Sequence, residues 1–188
     1  MSKILCGIGC GVCCLLTILI FVLVSVGTVE PIEYGIVYNS ITKTVNTEHV
    51  YKGGWYFIGP IQSFFVFPST LINIDFTDYK GADHPPIEVK DKIGQTVTLS
   101  FSLQYKLLED DIGKLYENYQ QTYLTTYLSR IDNAVRQVFA TFDSDIFWKD
   151  RKQAGEAMKD EINKVFEDPH SPSYAKIYSL QVINIGLP

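Results

Sequence analysis

Cysteine is absent from most of this 188-residue sequence. All four cysteines, Cys6, Cys10, Cys13 and Cys14, lie close to the amino terminus, so no disulfide can lie in the rest of the chain. The roughly 160 residues that follow are long enough to bury about two-thirds of their unfolded surface in one core. We therefore expect a domain that folds without covalent cross-links, and cysteine usage does not identify a redox compartment.

Signatures of catalysis and of metal or nucleotide binding are also missing. The three histidines, His49, His84 and His170, fall in separate predicted turns, with no H-E-x-x-H motif and no serine-histidine-aspartate order. A Walker A loop is absent, and the only glycine-rich run, residues 7–11, lies in an apolar segment that cannot cradle a phosphate. We therefore predict no catalytic residues, no metal site and no cofactor.

Positive charge is scarce. The chain has a formal net charge of −5, and Lys3 is the only charged side chain before Thr28, which leaves −6 for the remainder. A nucleic-acid-binding protein needs a basic surface, so the sequence excludes that class of partner. The acidic run 109–111 stands where a helix is predicted to begin, which is typical of helix capping rather than of acid-base catalysis.

A long apolar run opens the sequence. Residues 4–26 contain no charged side chain, and as a helix they would span roughly 34 Å, slightly more than the bilayer core of about 30 Å. Ser25-Val26-Gly27 also fits a signal-peptide cleavage site, but the run exceeds the usual apolar length of such peptides. We predict a retained transmembrane anchor over residues 1–27, with Lys3 placing the amino terminus in the cytoplasm.

Small residues within the predicted anchor suggest contacts and modification. Gly7 and Gly11 form a G-x-x-x-G pair that would let two helices pack closely, and chance occurrence in a glycine-rich stretch is the alternative. The four cysteines at the membrane boundary are candidate S-acylation sites, with small packing residues as the alternative. A redox relay through Cys10 and Cys13 is a rival interpretation that lacks a second ligand pair.

An aromatic cluster follows the anchor. Two prolines prevent it from forming one long strand. Its rings could belong to the core, or they could contact the membrane surface, where amphipathic rings are stable. The residues concerned are Trp55, Tyr56, Phe57, Phe64, Phe65 and Phe67.

Hydrophobic periodicity predicts an α+β domain. Short strands are predicted over 33–50, with turns at 39–40 and 46–47, and over 71–76; residues 96–107 alternate apolar and polar without exception. Helices are predicted from residue 110 or 111 to 119, over 122–142, and from 143 or 144 to 166. A final strand is predicted over 175–185, with Ile177, Ile183 and Ile185 on one face and Tyr178, Leu180 and Val182 on the other.

The order of these pieces over residues 28–188 resembles the stomatin/prohibitin/flotillin family, also called the SPFH or band 7 domain. The segments that carry the resemblance are 29–37 (VEPIEYGIV), the glycine-proline hairpin 51–60 (YKGGWYFIGP), the strand pair 91–107, the helical region 122–142 with Arg151, and the closing strand that ends at Gly186-Leu187-Pro188.

The resemblance implies a non-enzymatic membrane scaffold whose domains pack side by side, form rings or cages, and organise a membrane microdomain. Its implied partners are membrane lipids, copies of the same chain or paralogues, and other membrane proteins. Family members continue into a long coiled coil, whereas this sequence stops at Pro188, so we expect a chain truncated before that region. Without a coiled coil, assembly would depend on the domain flanks and the Gly7/Gly11 pair.

Two further alternatives remain open at this stage. The charged run at Asp150 and Arg151 begins a polar helix, where a solvated surface or a contact between subunits are both consistent with the sequence. The domain could also serve as a structural accessory subunit that braces a larger membrane complex.

Overall fold

The computed structural model describes residues 15–141 and 150–186. Two compact units divide the chain, the first ending at Phe67 and the second beginning at Pro68. The sequence predicts one domain over residues 28–188, with no boundary at this position. Antiparallel strands, then helices, then a closing strand follow one another along the chain, which confirms the predicted α+β order.

The first unit consists of a helical segment, residues 15–24, followed by five short strands. β1 pairs with β4 in a two-stranded antiparallel ribbon, and β2 lies between β3 and β5 in a three-stranded sheet. The strands are β1 (Val26–Val29), β2 (Glu33–Asn39), β3 (Thr44–Tyr51), β4 (Gly54–Phe57) and β5 (Gln62–Pro68).

The turn between β2 and β3 lies where the sequence predicts it. The Asn39 side-chain oxygen accepts hydrogen bonds from the backbone N–H groups of Ile41 and Thr42 at 2.9 and 3.2 Å, an arrangement that asparagine favours in turns. The turn predicted at 46–47 is wrong, because both residues lie inside β3. There the register shifts, so that Gly35 faces Tyr51 while Val37 faces Asn46.

The second unit is a sheet with helices. β6 (Ile72–Phe76) and β7 (Ile87–Lys90) both pair with the long strand β8 (Thr96–Leu107), and β9 (Ala175–Gly186) also pairs antiparallel with β8. The helices are α1 (Ile112–Tyr119), α2 (Tyr123–Thr141) and α3 (Arg151–Phe166), with 3-10 turns at Glu109–Asp111 and Gln120–Thr122.

Strand β8 forms the centre of the core and confirms the predicted alternation. Every second side chain is at most 2% exposed, because successive residues of a strand point to opposite faces and only one face is covered. The buried residues are Val97, Leu99, Phe101, Leu103, Tyr105 and Leu107. The paired strand begins earlier than predicted, since Asp91 lies in the β7–β8 turn and accepts bonds from the N–H groups of Ile93 and Gln95.

The helices differ in detail from their predicted starts. Asp111 precedes α1 but makes no side-chain capping bond, and its carboxylate pairs instead with Lys114 at 2.7 Å. Asp150 caps α3, since its Oδ1 accepts from the Gln153 N–H at 3.1 Å. The predicted start of that helix at 143 or 144 lies outside the described residues.

The final strand departs from simple alternation. β9 contains two register irregularities against β8, so that Gln104 faces Ser179 while Tyr105 faces Ile177, and Ser100 faces Asn184 while Phe101 faces Val182. Each inserts one extra residue into β9 and reverses the facing of those that follow. The predicted division into two faces is therefore wrong, and the core-facing positions are Ala175, Ile177, Leu180, Val182 and Ile185.

A carboxylate on the polar face of the sheet makes stability depend on pH. Ser102 Oγ donates to Asp75 Oδ1 at 2.5 Å and Tyr79 Oη donates to Oδ2 at 2.6 Å. These bonds, that of Ser102 foremost, hold the pKa of Asp75 below its ordinary value. Because the folded state lowers this pKa, the stabilisation is present above the unfolded pKa of about 3.9 and is lost as pH falls through the folded value.

We expect Ser102→Ala to reduce the dependence of the free energy of unfolding on pH in the acidic range. The variant should lose stability relative to wild type at pH 7 and less of it at pH 3, as measured by urea unfolding at both values. Ser100→Ala, two residues earlier on the same face, is the matched control and should keep the wild-type pH dependence. An identical pH dependence in the Ser102 and Ser100 variants would contradict the assignment.

Candidate functional site

The helical segment 15–24 is apolar on every side. Nine of its ten residues are large hydrophobic side chains at least 45% exposed: Leu15, Leu16, Ile18, Leu19, Ile20, Phe21, Val22, Leu23 and Val24. A helix in water carries an apolar stripe on one face only, and one that is apolar all round is normally buried in protein or membrane. The described residues do not cover this surface, which therefore requires an apolar environment from another source.

One face of the β1–β4 ribbon extends this apolar character. Val26 faces Phe57 and Thr28 faces Trp55 across the ribbon, so these four side chains share one face. Trp55 is 82% exposed and Phe57 is 68% exposed, although both are among the largest apolar side chains. Contiguous exposed apolar surface of this kind marks interaction sites with proteins or membranes.

Ser25 joins the helical segment to the ribbon. Its hydroxyl donates to the Phe21 carbonyl at 2.6 Å, and its own carbonyl accepts from the N–H groups of Ile58 and Gly59 at 3.0 and 3.1 Å. The side chain is fully buried. The end of the helical segment is thus tied to the end of β4. We call the exposed apolar side chains of the two segments together the apolar patch (residues 15–24, Val26, Trp55 and Phe57).

The remaining aromatic side chains of the predicted surface cluster pack within the first unit. Phe64 makes edge-to-face contacts with Tyr51 and Tyr56, with ring centroids 5.3 and 5.9 Å apart. Phe65 stacks on Tyr38 at 4.8 Å. Phe64 and Phe65 follow one another in β5 and therefore point to opposite faces, where these ring contacts leave Tyr56, Phe64 and Phe65 half-buried.

Phe67 does not belong to the surface cluster. Its side chain is 1% exposed, so it lies in the core and cannot contact a membrane. The six predicted surface aromatics therefore divide into two exposed rings, Trp55 and Phe57, three half-buried ones and one core residue.

Two glycines allow the Phe64 ring to pack so closely. A Cβ at Gly27 would lie 2.8 Å from Phe64 Cε2, and one at Gly35 would lie 2.9 Å from Phe64 Cδ1. Separations this short do not occur between real side chains, so any larger residue would displace the ring. The packing explains why Phe64 supports the ribbon from within rather than forming part of its exposed face.

The apolar patch carries no charge. No charged side chain occurs in residues 15–29 or 53–74, and the charged residues of the first unit from residue 15 onward are Glu30, Glu33, Lys43, Glu48 and Lys52. A surface of this composition binds through burial of apolar area rather than through ionic attraction. Its binding should therefore respond little to salt, unlike that of a basic surface on anionic lipids.

Most residues of the predicted anchor lie outside the described part of the chain. Cys6, Cys10, Cys13 and Cys14 do so, as do Gly7 and Gly11. Within residues 15–141 and 150–186, no helix is both long and apolar enough to cross a membrane. The ten helical residues 15–24 cover roughly 15 Å, about half of a bilayer core. The helical run also ends before the predicted limit at Val26, which instead begins β1.

The prediction that every histidine lies in a turn is wrong for His49, which lies inside β3. His49 packs edge-on against Tyr51 in the first unit, whereas His84 Nδ1 lies 2.9 Å from the Pro85 carbonyl and the His170 N–H donates to Asp168 in the second. Among the described residues, no group of three or more histidine, cysteine or acidic side chains could hold a metal ion.

Tyrosines of the second unit form a buried group. Burial raises the pKa of Tyr105 and of Tyr127 far above the ordinary value, so both hydroxyls stay protonated at any physiological pH. The Tyr127 hydroxyl donates to the Ser173 carbonyl. This arrangement is typical of a structural hydrogen bond in a core.

The residues of the predicted subunit contact have distinct environments. Asp150 is the N-cap of α3. Arg151 lines a groove between α3 and the outer edge of β9, together with Lys152, Lys159 and Glu156. Sequence reasoning missed this groove, because its two walls are at least nineteen residues apart in the chain. It also missed Ser25, for which a single small polar residue after a long apolar run was the available signal.

Comparison with known protein families gives a match over most of the chain. The family model described as SPFH domain / Band 7 family matches residues 28–188. A comparison with curated proteins found no match.

Proposed function

The chain belongs to the SPFH/band 7 family, and from this premise we propose that it is a membrane-anchored, non-enzymatic scaffold that oligomerises on the bilayer and organises a membrane microdomain. Family membership is consistent with such a role and with association with membranes. Copies of the same chain or paralogues are the proposed assembly partners, and lipids and other membrane proteins are what the scaffold would gather.

The apolar patch is the observation that supports attachment to a bilayer. Burying one large apolar side chain is worth about 1.5–3 kcal/mol, so a few residues of the patch together match a lipid anchor. Trp55 suits the boundary between lipid and water, where an amphipathic ring is stable. We propose that the helical segment inserts into the bilayer and that the β1–β4 ribbon lies at its surface.

The residues before 15 enter the proposal from the sequence alone. We propose that the apolar run from residue 4 continues the inserted segment as a single-pass anchor, with the amino terminus on the cytoplasmic side. Acylation of Cys6, Cys10, Cys13 or Cys14 would add to this attachment, since two membrane signals hold a protein far more firmly than one.

Tryptophan fluorescence tests the position of the ribbon directly. The chain has two tryptophans, so Trp148→Phe leaves Trp55 as the single reporter. On adding phosphatidylcholine vesicles to the full chain, we expect the Trp55 emission to shift to shorter wavelength and to be quenched by brominated acyl chains. Both effects follow from transfer of the indole from water into the interfacial layer.

The matched control moves the reporter to the second unit. In a chain with Trp55→Phe and Trp148→Phe, the substitution Ile93→Trp places tryptophan at a turn position that is 72% exposed. Its emission should remain that of an indole in water. Equal quenching at both positions, or none at Trp55, would contradict a specific role for the ribbon in membrane contact.

A further inference from the structure

Hydrogen bonds cover parts of the outer strands β6 and β7 in the sheet of the second unit. A strand edge exposes unpaired N–H and C=O groups, which proteins cover to avoid unwanted pairing. On β6, the His84 N–H donates to the Asp75 carbonyl at 3.1 Å, and the Thr77 N–H donates to the His84 carbonyl at 3.1 Å. On β7, the Arg136 guanidinium donates to the Glu88 carbonyl.

Among the described residues, hydrogen bonds from side chains cover the outer edge of β9 at two points. The Asn163 side chain bonds both backbone groups of Ile177, accepting from its N–H at 2.9 Å and donating to its carbonyl at 3.2 Å. Near the other end, the Ile185 N–H donates to the Asn184 side-chain oxygen at 2.9 Å. These bonds show that Ile177 and Ile185 direct their backbone groups away from β8.

The pairing with β8 identifies which other residues share this orientation. Ile177 faces Tyr105, and Ile185 faces Leu99. Every second residue of β8 has the same backbone orientation as these two, so the partners of Leu103 and Phe101 are equivalent to Ile177 and Ile185. Those partners are Leu180 and Val182. Their backbone groups therefore also point outward. Among the described residues, no hydrogen bond covers the outward N–H groups of Leu180 and Val182.

A groove runs along this uncovered stretch. It has a volume of about 360 Å³, and its walls are the first half of α3 and residues 178–182 of β9. At Gly155 the helix lies close to the strand, since a Cβ there would be in van der Waals contact with the Leu180 carbonyl oxygen at 3.4 Å. Residues 178–182 extend over roughly 16 Å, which is the length of a five-residue extended segment.

The charge of the groove is positive within an acidic protein. Three cations, Arg151, Lys152 and Lys159, and one anion, Glu156, line it. In the described part of the chain, the side chains of these three cations form no ion pair. The whole chain carries −5, so the groove attracts acidic groups while the rest of the protein repels extended polyanions such as nucleic acids.

We propose that this groove binds an extended acidic peptide segment of a partner protein. The segment adds to the outer edge of β9 by pairing with Leu180 and Val182, and its carboxylates contact Arg151, Lys152 and Lys159. An extended peptide backbone offers donors and acceptors at the spacing of an open strand edge. This docking function is separate from the proposed membrane attachment and stands without it.

A defined peptide tests the proposal. The probe is a fluorescein-labelled, capped hexapeptide of alternating threonine and glutamate, titrated with the full-length chain in detergent at physiological salt and followed by fluorescence anisotropy. A second peptide with lysine in place of glutamate measures the charge requirement. We expect binding of the glutamate peptide and at least about tenfold weaker binding of the lysine peptide.

Two variants separate charge from backbone pairing. Arg151→Glu with Lys159→Glu should weaken binding at least about tenfold through repulsion. Arg151 is exposed and Lys159 is half-buried, and circular dichroism verifies that the variant folds. Val182→Pro removes the outward N–H without removing a bond to β8, and should weaken binding similarly. Lys176→Glu, on the same strand but outside the groove, should change the affinity less than about twofold because salt screens it.

Three results would overturn the proposal. One is equal binding of the two peptides, and another is an equal loss of affinity in the Lys176 variant and the groove variants. The third is a change in the sedimentation of the chain alone on reversing Arg151 and Lys159, which would assign the groove to contacts between copies. Membrane binding of all variants stays as in wild type under this proposal, so its failure is distinguishable from failure of the membrane role.

Discussion

Leu19→Asp combined with Leu23→Asp is expected to reduce the partitioning of the full chain onto phosphatidylcholine vesicles at least about 100-fold. These residues are one helical turn apart on the segment 15–24, and both are more than half exposed. An aspartate near the centre of a membrane helix costs about 2.5–3.5 kcal/mol, and each replacement also removes a leucine whose burial favours insertion. Every 1.4 kcal/mol lost is a factor of ten in partitioning.

The fold should be unaffected by these changes, because the replaced side chains are exposed. Vesicle flotation measures the partitioning, and circular dichroism verifies the fold. The matched control introduces the same two charges in the second unit through Ile93→Asp and Leu108→Asp, at exposed apolar positions. If the control lowers partitioning as much as the test variant, net charge rather than the apolar patch governs attachment.

Vesicle flotation at increasing salt distinguishes apolar from ionic attachment. Because no cation lies within the apolar patch, partitioning of the wild-type chain should remain unchanged when salt is raised from about 0.1 M to 1 M, where the Debye length falls from about 10 to 3 Å. A strong decrease with salt would contradict insertion by apolar burial.

Arg130→Ala is expected to lower the free energy of unfolding by about 3 kcal/mol. The Arg130 guanidinium holds the loop that leads into β9. It donates to both the carbonyl and the hydroxyl of Ser171, the first at 2.5 Å. It also donates to Ser173 Oγ at 2.6 Å and to Tyr119 Oη at 2.8 Å. It also lies over the Tyr119 ring, 5.4 Å from its centroid. Truncation leaves these acceptors unpaired in a partly buried site.

Urea unfolding at pH 7 measures this loss. Arg130→Lys keeps the charge but not the planar fork that reaches several acceptors at once, so it should recover only part of the stability. Lys164→Ala is the control on a neighbouring helix, since Lys164 forms an exposed ion pair with Glu161, and its unfolding midpoint should match wild type. A Lys variant as stable as wild type would show that charge alone supports the loop.

Local hydrophobic patterns in the sequence predict the bounds of several elements of the second unit. The bounds of β8 are those predicted, and α2 begins and ends within one residue of its prediction. Both elements have strong periodicity, of two residues in the strand and 3.6 in the helix, which neighbouring residues alone reveal.

The predictions that are wrong concern residues whose placement depends on partners outside the local pattern. The two faces of β9 were assigned by alternation, and two extra residues opposite β8 reversed that assignment. Asp91 was placed in a strand, but its side chain binds the backbone of the turn that follows. In each case the deciding partner is either a distant strand or a side-chain bond that composition does not reveal.

The sequence alone determined the apolar amino-terminal run, the absence of charge around it, the order of strands and helices, and the resemblance to the family. These are properties of consecutive residues. Only the tertiary structure decided that Trp55 and Phe57 are exposed while Phe67 is buried, that Ser25 joins the helical segment to the ribbon, and that α3 and β9 enclose a cationic groove. Each depends on pairing between distant segments, because the face that a side chain occupies is fixed by the register of its strand and by what packs against it.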